Sequence, residues 1–189
     1  MNALHPLAVY AAVQAHKGER LEYPGDIVSW LAPSEHSSAK LTGYLSEWAV
    51  LEDRCKDQKF NASDTCVLPN NRLWPELARW YGAKGSGGPE LDDSKLHTVP
   101  PSEAPTPLGY GPQTKTRLSF TLSQWAAQEV NQKAWQDIMK QHKLTDNPFD
   151  DIEAHFVFGD AVAFGPLLLS MNKARKFSHV LEITARLRH

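Results

Sequence analysis

The chain has 189 residues, of which 41% are apolar and 22% charged, a composition typical of one globular domain with a sizeable core. Its formal net charge of −2 gives no basic footprint for a nucleic acid or an anionic membrane surface. The longest wholly apolar run, FGPLLL at 164–169, is too short to cross a bilayer, and MNALHPLAVYAAV lacks the basic leader of a signal peptide. We therefore expect a cytoplasmic protein of one domain, 1–189, without nucleic-acid or membrane partners.

Three helices are predicted in the first half of the chain. Residues 3–16 carry apolar side chains all round, which is typical of a buried helix. Ser37 or Ser38 can cap a second helix over 37–53, SSAKLTGYLSEWAVLED, where apolar residues recur at spacings of three and four. Residues 71–82, NRLWPELARWYG, predict the third helix, which ends at a glycine.

The second half begins with a change of composition. Residues 82–113 are dense in Gly, Pro, Ser and acidic residues, which predicts a long surface loop. A long helix is expected over 119–144, and one or two short helices leading into a buried one over 147–176. With a short strand at 21–23 and a brief strand and loop over 59–64, the predicted fold class is α-rich α+β.

The glycines of GAKGSGG, residues 82–88, have the G-x-x-G-x-x-G spacing with which extended short-chain dehydrogenases hold the pyrophosphate of a nicotinamide cofactor. That motif needs a strand before it and a helix start behind it, so that free helix N–H groups face the phosphates. Here a predicted helix precedes Gly82, and Pro89-Glu90 follow Gly88. We interpret Gly82 as a helix cap and the rest as loop, and expect no cofactor to bind there.

Other cofactor and metal signatures are also missing from the sequence. None of the five tyrosines is followed four residues later by lysine, the pair that short-chain dehydrogenases use as proton donor and its activator. There is no C-x-x-C or H-E-x-x-H motif, so no metal is expected. Cys55 and Cys66 could be bridged, but a pair of reduced core thiols is the favoured interpretation.

Five segments in order nevertheless resemble one branch of that superfamily: GERLEYPGD..SW, SSAKLTGYLSEWAVLED, CKDQKFNASD, RLWPELARWYG and SMNKARK. They look like the C-terminal, substrate-binding half of the progesterone 5β-reductase and iridoid synthase-like proteins, and the amino-acid sequence of these segments most resembles that of fungal members. The resemblance runs from Met1 to Lys176 and implies a truncated short-chain dehydrogenase, a helical substrate-binding cap with a few short strands. It also implies that the glycine loop and the catalytic Tyr and Lys belong to a Rossmann half that would precede Met1.

The resemblance points to a substrate pocket. In that family the helix before SMNK lines the pocket above the nicotinamide, which implies that Ala163, Pro166, Leu167 and Ser170 face a ligand. The spacing of these four residues independently predicts that they share one helical face. The same stripe could equally be core, and both interpretations stay open.

Aromatic side chains add further candidates for substrate contact. Trp30, Phe156 and Phe164 are the candidates beside the predicted pocket. Aromatic walls can bind and fold an apolar polyene or prenylated substrate, although a small core needs such residues too.

Two residues are candidates for proton transfer. His155 lies in the acidic segment DDIEAHFVFGD and could act as general acid or base with Asp151, Glu153 or Asp160 as its partner. The alternative is a partly exposed helix histidine. Asp160 could accept a proton or cap a helix, and capping is favoured.

These features lead to a hypothesis and two alternatives. The hypothesis is a cofactor-independent cyclase or isomerase, a pericyclase included, acting on an apolar polyketide- or terpenoid-like intermediate of fungal secondary metabolism. The alternatives are a non-catalytic ligand-binding or interaction module and a fragment of an NADPH-dependent enone reductase. Helix faces left without a sheet would expose large apolar patches, which predicts a homodimer.

Overall fold

The computed structural model of the chain describes residues 4–99, 115–163, 166 and 168–178, with 161–163 as backbone only. The described residues form two compact units. The larger falls within Met1–Ala32 and Pro69–Pro166, and the smaller within Pro33–Leu68 and Leu167–His189.

The elements are mostly helices. The α-helices are α1 Leu4–Lys17, α2 Ile27–Leu31, α3 Ala39–Leu51, α4 Asn70–Tyr81, α5 Leu122–Ala126, α6 Glu129–His142, α7 Ile152–Phe156 and α8 Asn172–Ser178. Short 3-10 helices cover Asp53–Cys55, Asp93–Lys95, Pro148–Asp151 and Val157–Ala163. The strands are β1 His97–Val99 and β2 Thr116–Leu118, which pair antiparallel. The predicted α-rich character with little sheet is confirmed.

Helix α1 is the centre of the larger unit. It packs against α4, α6 and the 3-10 helix Val157–Ala163, and it ends at Gly18, whose φ of 68° is left-handed. Because its apolar residues point in every direction, α1 buries side chains on several sides at once, as predicted. The largest fully buried side chains of this unit include Tyr10, Leu21, Trp74, Leu122 and Phe156.

Segment 21–26 lies between two neighbours. On one side Leu21 and Asp26 form parallel bridges to Ser86 and Glu90, and on the other Gly25 forms an antiparallel bridge to Leu118 of β2. The strand predicted over 21–23 is therefore reduced to isolated bridges. The segment nevertheless joins the loop after α4 to the strand before α5.

The long helix predicted over 119–144 is wrong in one respect, because the chain forms α5 and α6 with a break between them. The side-chain amides of Asn131 and Gln132, in the first turn of α6, donate to the carbonyls of Trp125 and Ala126 at 2.8 and 3.1 Å. These bonds satisfy carbonyls at the end of α5 that a continuous helix would have used.

Three other expectations need correction or limits. Residues 59–64 form no strand. The predicted surface loop over 82–113 contains a 3-10 turn and β1 in its first part, while residues 100–113 lie outside the described residues. Both cysteines are free, but Cys66 is exposed, so the description as core thiols holds for Cys55 alone.

The smaller unit is built around α3, which Ser38 caps by accepting a hydrogen bond from the Leu41 N–H, as predicted. Its aromatic rings stack edge to face: Trp48 lies 5.1 Å from Phe60, and Phe60 lies 5.5 Å from Phe177 of α8. Lys173 lies over the Phe60 ring. Leu45, Cys55 and Ala174 are buried here.

Candidate functional site

Asp160 lies in the 3-10 helix Val157–Ala163 and holds the start of α5. Its Oδ1 accepts a hydrogen bond from the backbone N–H of Leu122 at 2.6 Å. Burial raises the pKa of this carboxyl from 3.8 to about 6, although the hydrogen bond from Leu122 opposes the shift. Asp160 therefore accepts a hydrogen bond from the start of α5, whereas the sequence favoured it as a cap of the helix directly after it. Its carboxyl can also exchange a proton near neutral pH.

His155 lies in the last turn of α7 and is half-buried. Its ring lies 5.6 Å from that of His5 on α1. Within the described part of the chain, no hydrogen bond or ion pair joins His155 to Asp151, Glu153 or Asp160. Asp151 instead caps α7 by accepting from the Ala154 N–H at 3.0 Å. The ring contact is thus with another histidine rather than with an orienting carboxylate.

The aromatic candidates Trp30 and Phe156 both belong to packed clusters. Trp30, on α2, is half-buried and lies 4.9 Å from the ring of Tyr23. Phe156 is fully buried, with Phe149 at 5.0 Å and Trp125 at 6.0 Å. In this structure Phe156 has the surroundings of a core residue.

The prediction of a helix before SMNK is wrong for the described residues of that segment. Pro166 and 168–171 have no regular structure, and Pro166 and Ser170 are exposed. Proline lacks an N–H to donate and disfavours helical geometry in the residue before it. The predicted shared helical face therefore fails for Pro166 and Ser170, since neither residue lies in a helix.

The remaining pocket candidates give less information. Ala163 ends the 3-10 helix, and only its backbone is described. Phe164 and Leu167 lie outside the described residues. Ligand contact by the five residues Ala163, Phe164, Pro166, Leu167 and Ser170 stays a prediction.

A buried carboxylate network beside Tyr23 was not predicted as a network. Asp26 caps α2 and accepts from the Ser29 N–H at 2.9 Å and from Nε of Arg117 at 2.9 Å. Burial opposes ionisation of Asp26, but the bonds from Ser29 and Arg117 outweigh it and hold its pKa below 3.8. Arg117 also contacts Asp93 at 2.7 Å. No local pattern signals this network, because 91 residues separate Asp26 from Arg117.

Tyr23 and Asn70 extend the same network into the core. The Asn70 side-chain amide donates to the Tyr23 hydroxyl and to the Ser29 carbonyl, both at 3.0 Å. Burial raises the pKa of Tyr23 to about 12, and the nearby Asp26 adds to the shift. Tyr23 is thus neutral at physiological pH and acts here as a hydrogen-bonding core residue.

The glycine motif has the geometry of a helix cap. Gly82 has a φ of 76° and caps α4, with its N–H bonded to the Ala78 carbonyl. The following residues run beside α1's exit segment, with Leu21 N–H donating to the Gly85 carbonyl at 2.9 Å and Gly87 N–H to the Leu21 carbonyl at 2.8 Å. An N–H group bonded in this way does not point at a phosphate, so the interpretation as a cap is confirmed.

An open cleft runs across the larger unit. One part, the α1–α5 groove, has a volume of about 400 Å³ and includes the aromatic side chains of Tyr10, Phe120 and Trp125. The other part, the glycine-loop groove, has a volume of about 440 Å³ and includes Gly87, Gly88 and Ser119. Glu22 and Phe120 line both grooves, which therefore adjoin there. None of the predicted site residues lines the cleft, but Trp30 and Phe156 pack against Tyr23 and Trp125 of its walls.

Within the described ranges, no three His, Cys, Asp or Glu side chains are grouped to hold a metal ion. None of the helices in those ranges is both long and apolar enough to span a membrane.

The chain is similar to a group of curated proteins over nearly all its length. It is 26% identical over 95% of its residues to an uncharacterised protein of Schizosaccharomyces pombe and, over the same share, to an (S)-8-oxocitronellyl enol synthase of Camptotheca acuminata. It is 22% identical over 94% to a 3-oxo-Δ(4,5)-steroid 5β-reductase of Arabidopsis thaliana. No family model matches the chain.

These similarities confirm the resemblance seen in the sequence. The chain matches the C-terminal half of iridoid synthase-like and progesterone 5β-reductase-like enzymes. It spans less than half the length of these curated relatives, 46%, 39% and 38% for the three named.

Proposed function

We propose that the chain is the substrate-binding part of a short-chain-dehydrogenase-related enzyme that directs cyclisation or isomerisation of an apolar terpenoid- or polyketide-like intermediate. The similarity to enol synthases over 95% of the chain carries this proposal. Those relatives are synthases of the (S)-8-oxocitronellyl enol, and ring closure of an enol needs correct folding and proton transfer rather than a hydride.

Asp160 supports the proton transfer in this proposal. A carboxyl whose pKa lies near 6 is partly protonated close to neutral pH, so it can both donate and accept a proton there. Its Oδ1 is held by Leu122, which fixes the orientation of the carboxyl group. His155, close by in sequence on α7, is the second candidate for the same role, and Trp30 contributes an aromatic wall.

We further propose that this polypeptide performs the reaction without a nicotinamide cofactor. The capping geometry of Gly82 and the lack of a tyrosine followed four residues later by lysine support this part of the proposal. Titration of the purified 189-residue chain with NADPH should then give no binding. Saturable binding of NADPH would favour the alternative, a part of an NADPH-dependent enone reductase.

The test uses the enol that the relatives are named for. The Camptotheca acuminata synthase generates the (S)-8-oxocitronellyl enol in situ, and the purified chain is then added. We expect a faster cyclisation or a changed ratio of cyclised products relative to buffer. Asp160→Asn should abolish this effect, whereas Asp146→Asn, a change in an exposed loop, should retain it. An unchanged rate and product ratio would refute the proposal for this substrate class.

A second candidate, a non-catalytic interaction module, is favoured by the surface of α2. Three of the five residues of this helix, Ile27, Val28 and Leu31, are 40 to 62% exposed, and the neighbouring 3-10 helix exposes Val157 and Phe158. We propose that a second copy of the chain covers this face. Sedimentation equilibrium should give a dimer for the native chain and a monomer for Val28→Glu. A native monomer would count against both the module and the dimer.

A further inference from the structure

The cleft formed by the α1–α5 groove and the glycine-loop groove has one apolar end. Tyr10 lies at its base, with the Trp125 ring at 4.8 Å and the Phe120 ring at 6.1 Å, both edge to face. Tyr10 and Trp125 are buried, while Phe120 is half-buried. Phe120 therefore offers the accessible aromatic surface, and it does so at the point where the two grooves adjoin.

The residues that line the cleft carry an excess of one negative charge. Glu19, Glu22 and Glu90 line it, against the two cations Lys17 and Arg20. Lys17 Nζ forms an ion pair with the Glu19 carboxylate at 2.8 Å and donates a hydrogen bond to Asn131 Oδ1 at 2.9 Å. At the base of the cleft, burial first, and then the charges of Glu22 and Glu19, raise the pKa of the Tyr10 hydroxyl.

Glu22 is the carboxylate with the weakest charge partner. Its nearest cation, Nε of Arg20, lies 3.9 Å away, while the Arg20 guanidinium donates to the Ser86 carbonyl at 2.6 Å. A Cβ on Gly87 would overlap the Glu22 carboxylate, so the glycine leaves the space in which that carboxylate lies. The Glu22 side chain is 53% exposed, which leaves it accessible from the cleft.

We propose that this cleft binds an organic cation that carries a flat apolar group, with the ammonium at Glu22 and the flat group on Phe120. A carboxylate beside an accessible aromatic face attracts a cation through both its charge and the ring quadrupole. The apolar end built from Tyr10 and Trp125 accommodates the hydrophobic part, and the exposed amide side chains of Gln124 and Gln128 form the polar rim. Neither Asp160 nor His155 lines this cleft, and the proposal does not rest on the function proposed above.

The test compares two probes with the same ring and opposite charges. Tryptamine carries an ammonium, and indole-3-propionate carries a carboxylate. Titration of the whole chain by calorimetry, with NMR of the tryptophan indole N–H signals, should show saturable binding of tryptamine that perturbs Trp125. Indole-3-propionate should bind at least about tenfold more weakly, because it meets Glu22 with a like charge.

Three variants locate the binding. Glu22→Gln should weaken tryptamine binding about tenfold, and Phe120→Leu about threefold. Glu76→Gln, a change in an exposed carboxylate of α4, should leave it unchanged. Dispersed amide spectra of each variant confirm that the fold is retained.

Several outcomes would overturn the proposal. No binding of tryptamine up to about 10 mM, which is weaker than any useful site, would show that the cleft takes no such ligand. Equal binding of both probes, or tryptamine binding that Glu22→Gln does not weaken, would show that the cleft does not recognise a cation. These results leave the cyclisation assay untouched, since that assay depends on Asp160.

Discussion

Asp160 and Leu122, 38 residues apart, are joined by a hydrogen bond of 2.6 Å from the Leu122 N–H to the Asp160 carboxylate. Thr121 and Gln124 already form a capping box at the same helix end. The start of α5 thus has a local cap and a second acceptor supplied from a distant segment. Because α5 carries Trp125 and Gln124, the orientation of the cleft wall depends on this end of the helix.

The burial of the Asp160 carboxyl predicts a specific pH dependence of stability. Burial raises the pKa of the Asp160 carboxyl to about 6 in the folded chain, from 3.8 for an unperturbed carboxyl such as that of the unfolded chain. The stability that it contributes is therefore complete below pH 3.8 and is lost as pH rises through 6. The free energy of unfolding of the native chain, minus that of Asp160→Asn, should fall between about pH 4 and pH 7.

Urea denaturation of both proteins across that range measures the difference. Asp146→Asn, at an exposed loop position, serves as the matched control. The prediction fails if the difference between native chain and Asp160→Asn rises with pH, or if Asp146→Asn gives the same pH dependence. Either result would show that burial does not disfavour the ionised form of Asp160.

The two glycines Gly82 and Gly43 should respond to alanine in opposite directions. A Cβ added at either position would meet no atom within 4 Å, so the backbone conformation alone decides how alanine changes the free energy of unfolding. Gly82 has a φ of 76°, and alanine there should lower the free energy of unfolding by about 1 kcal/mol. Gly43 lies inside α3, where alanine should raise it by about 0.5 to 1 kcal/mol.

Urea denaturation of the two variants checks these signs. Gly82→Ala should also leave the response to NADPH as it is in the native chain. A large effect of Gly82→Ala on nucleotide binding without loss of stability would contradict the assignment of this glycine as a cap.

The ion pair between Asp26 and Arg117 should stabilise the fold. The Asp26 side chain is 7% exposed, so Arg117→Met leaves a buried carboxylate without its charge partner. We expect a loss of about 1 to 3 kcal/mol in the free energy of unfolding. Arg79→Met, which breaks an exposed pair with Glu76, should cost at most about 0.5 kcal/mol.

The Arg117 effect should also depend on pH. Arg117 and Ser29 together hold the pKa of Asp26 below 3.8 despite its burial. The stabilisation is then present at neutral pH and is lost as pH falls through that lowered pKa. Urea denaturation at neutral pH and at about pH 3 should show that Arg117→Met lowers the free energy of unfolding by less in acid. A larger loss in acid would contradict the role of Asp26 as a carboxylate.

Much of the helical structure could be predicted because its signals are local. The Ser38 cap, Gly18 and Gly82 act within one turn of the helices that they begin or end. The break between α5 and α6 could not be read in this way, because it depends on Asn131 and Gln132 reaching back to specific carbonyls. Helical spacing of apolar residues continues through the break and conceals it.

The candidate site was less predictable for the same physical reason. Capping by Asp160 was favoured, but its recipient, Leu122, lies in another helix. Glu22 and Phe120 adjoin in the cleft only because segment 21–26 pairs with both of its neighbours. The stripe from Ala163 to Ser170 was predicted from the resemblance and from helical spacing, but Pro166 and residues 168–171 have no regular structure.

The central position of segment 21–26 has a consequence for folding. Its bonds to Arg117 and Ser119 join residues 91 and 95 positions apart, so forming them requires the closure of large loops. Contacts of such long sequence separation slow folding relative to those inside a helix. Helices α1 and α6 can therefore form early, whereas the junction of Glu22 with Phe120 is completed late, and any molecule that occupies it would select the fully folded chain.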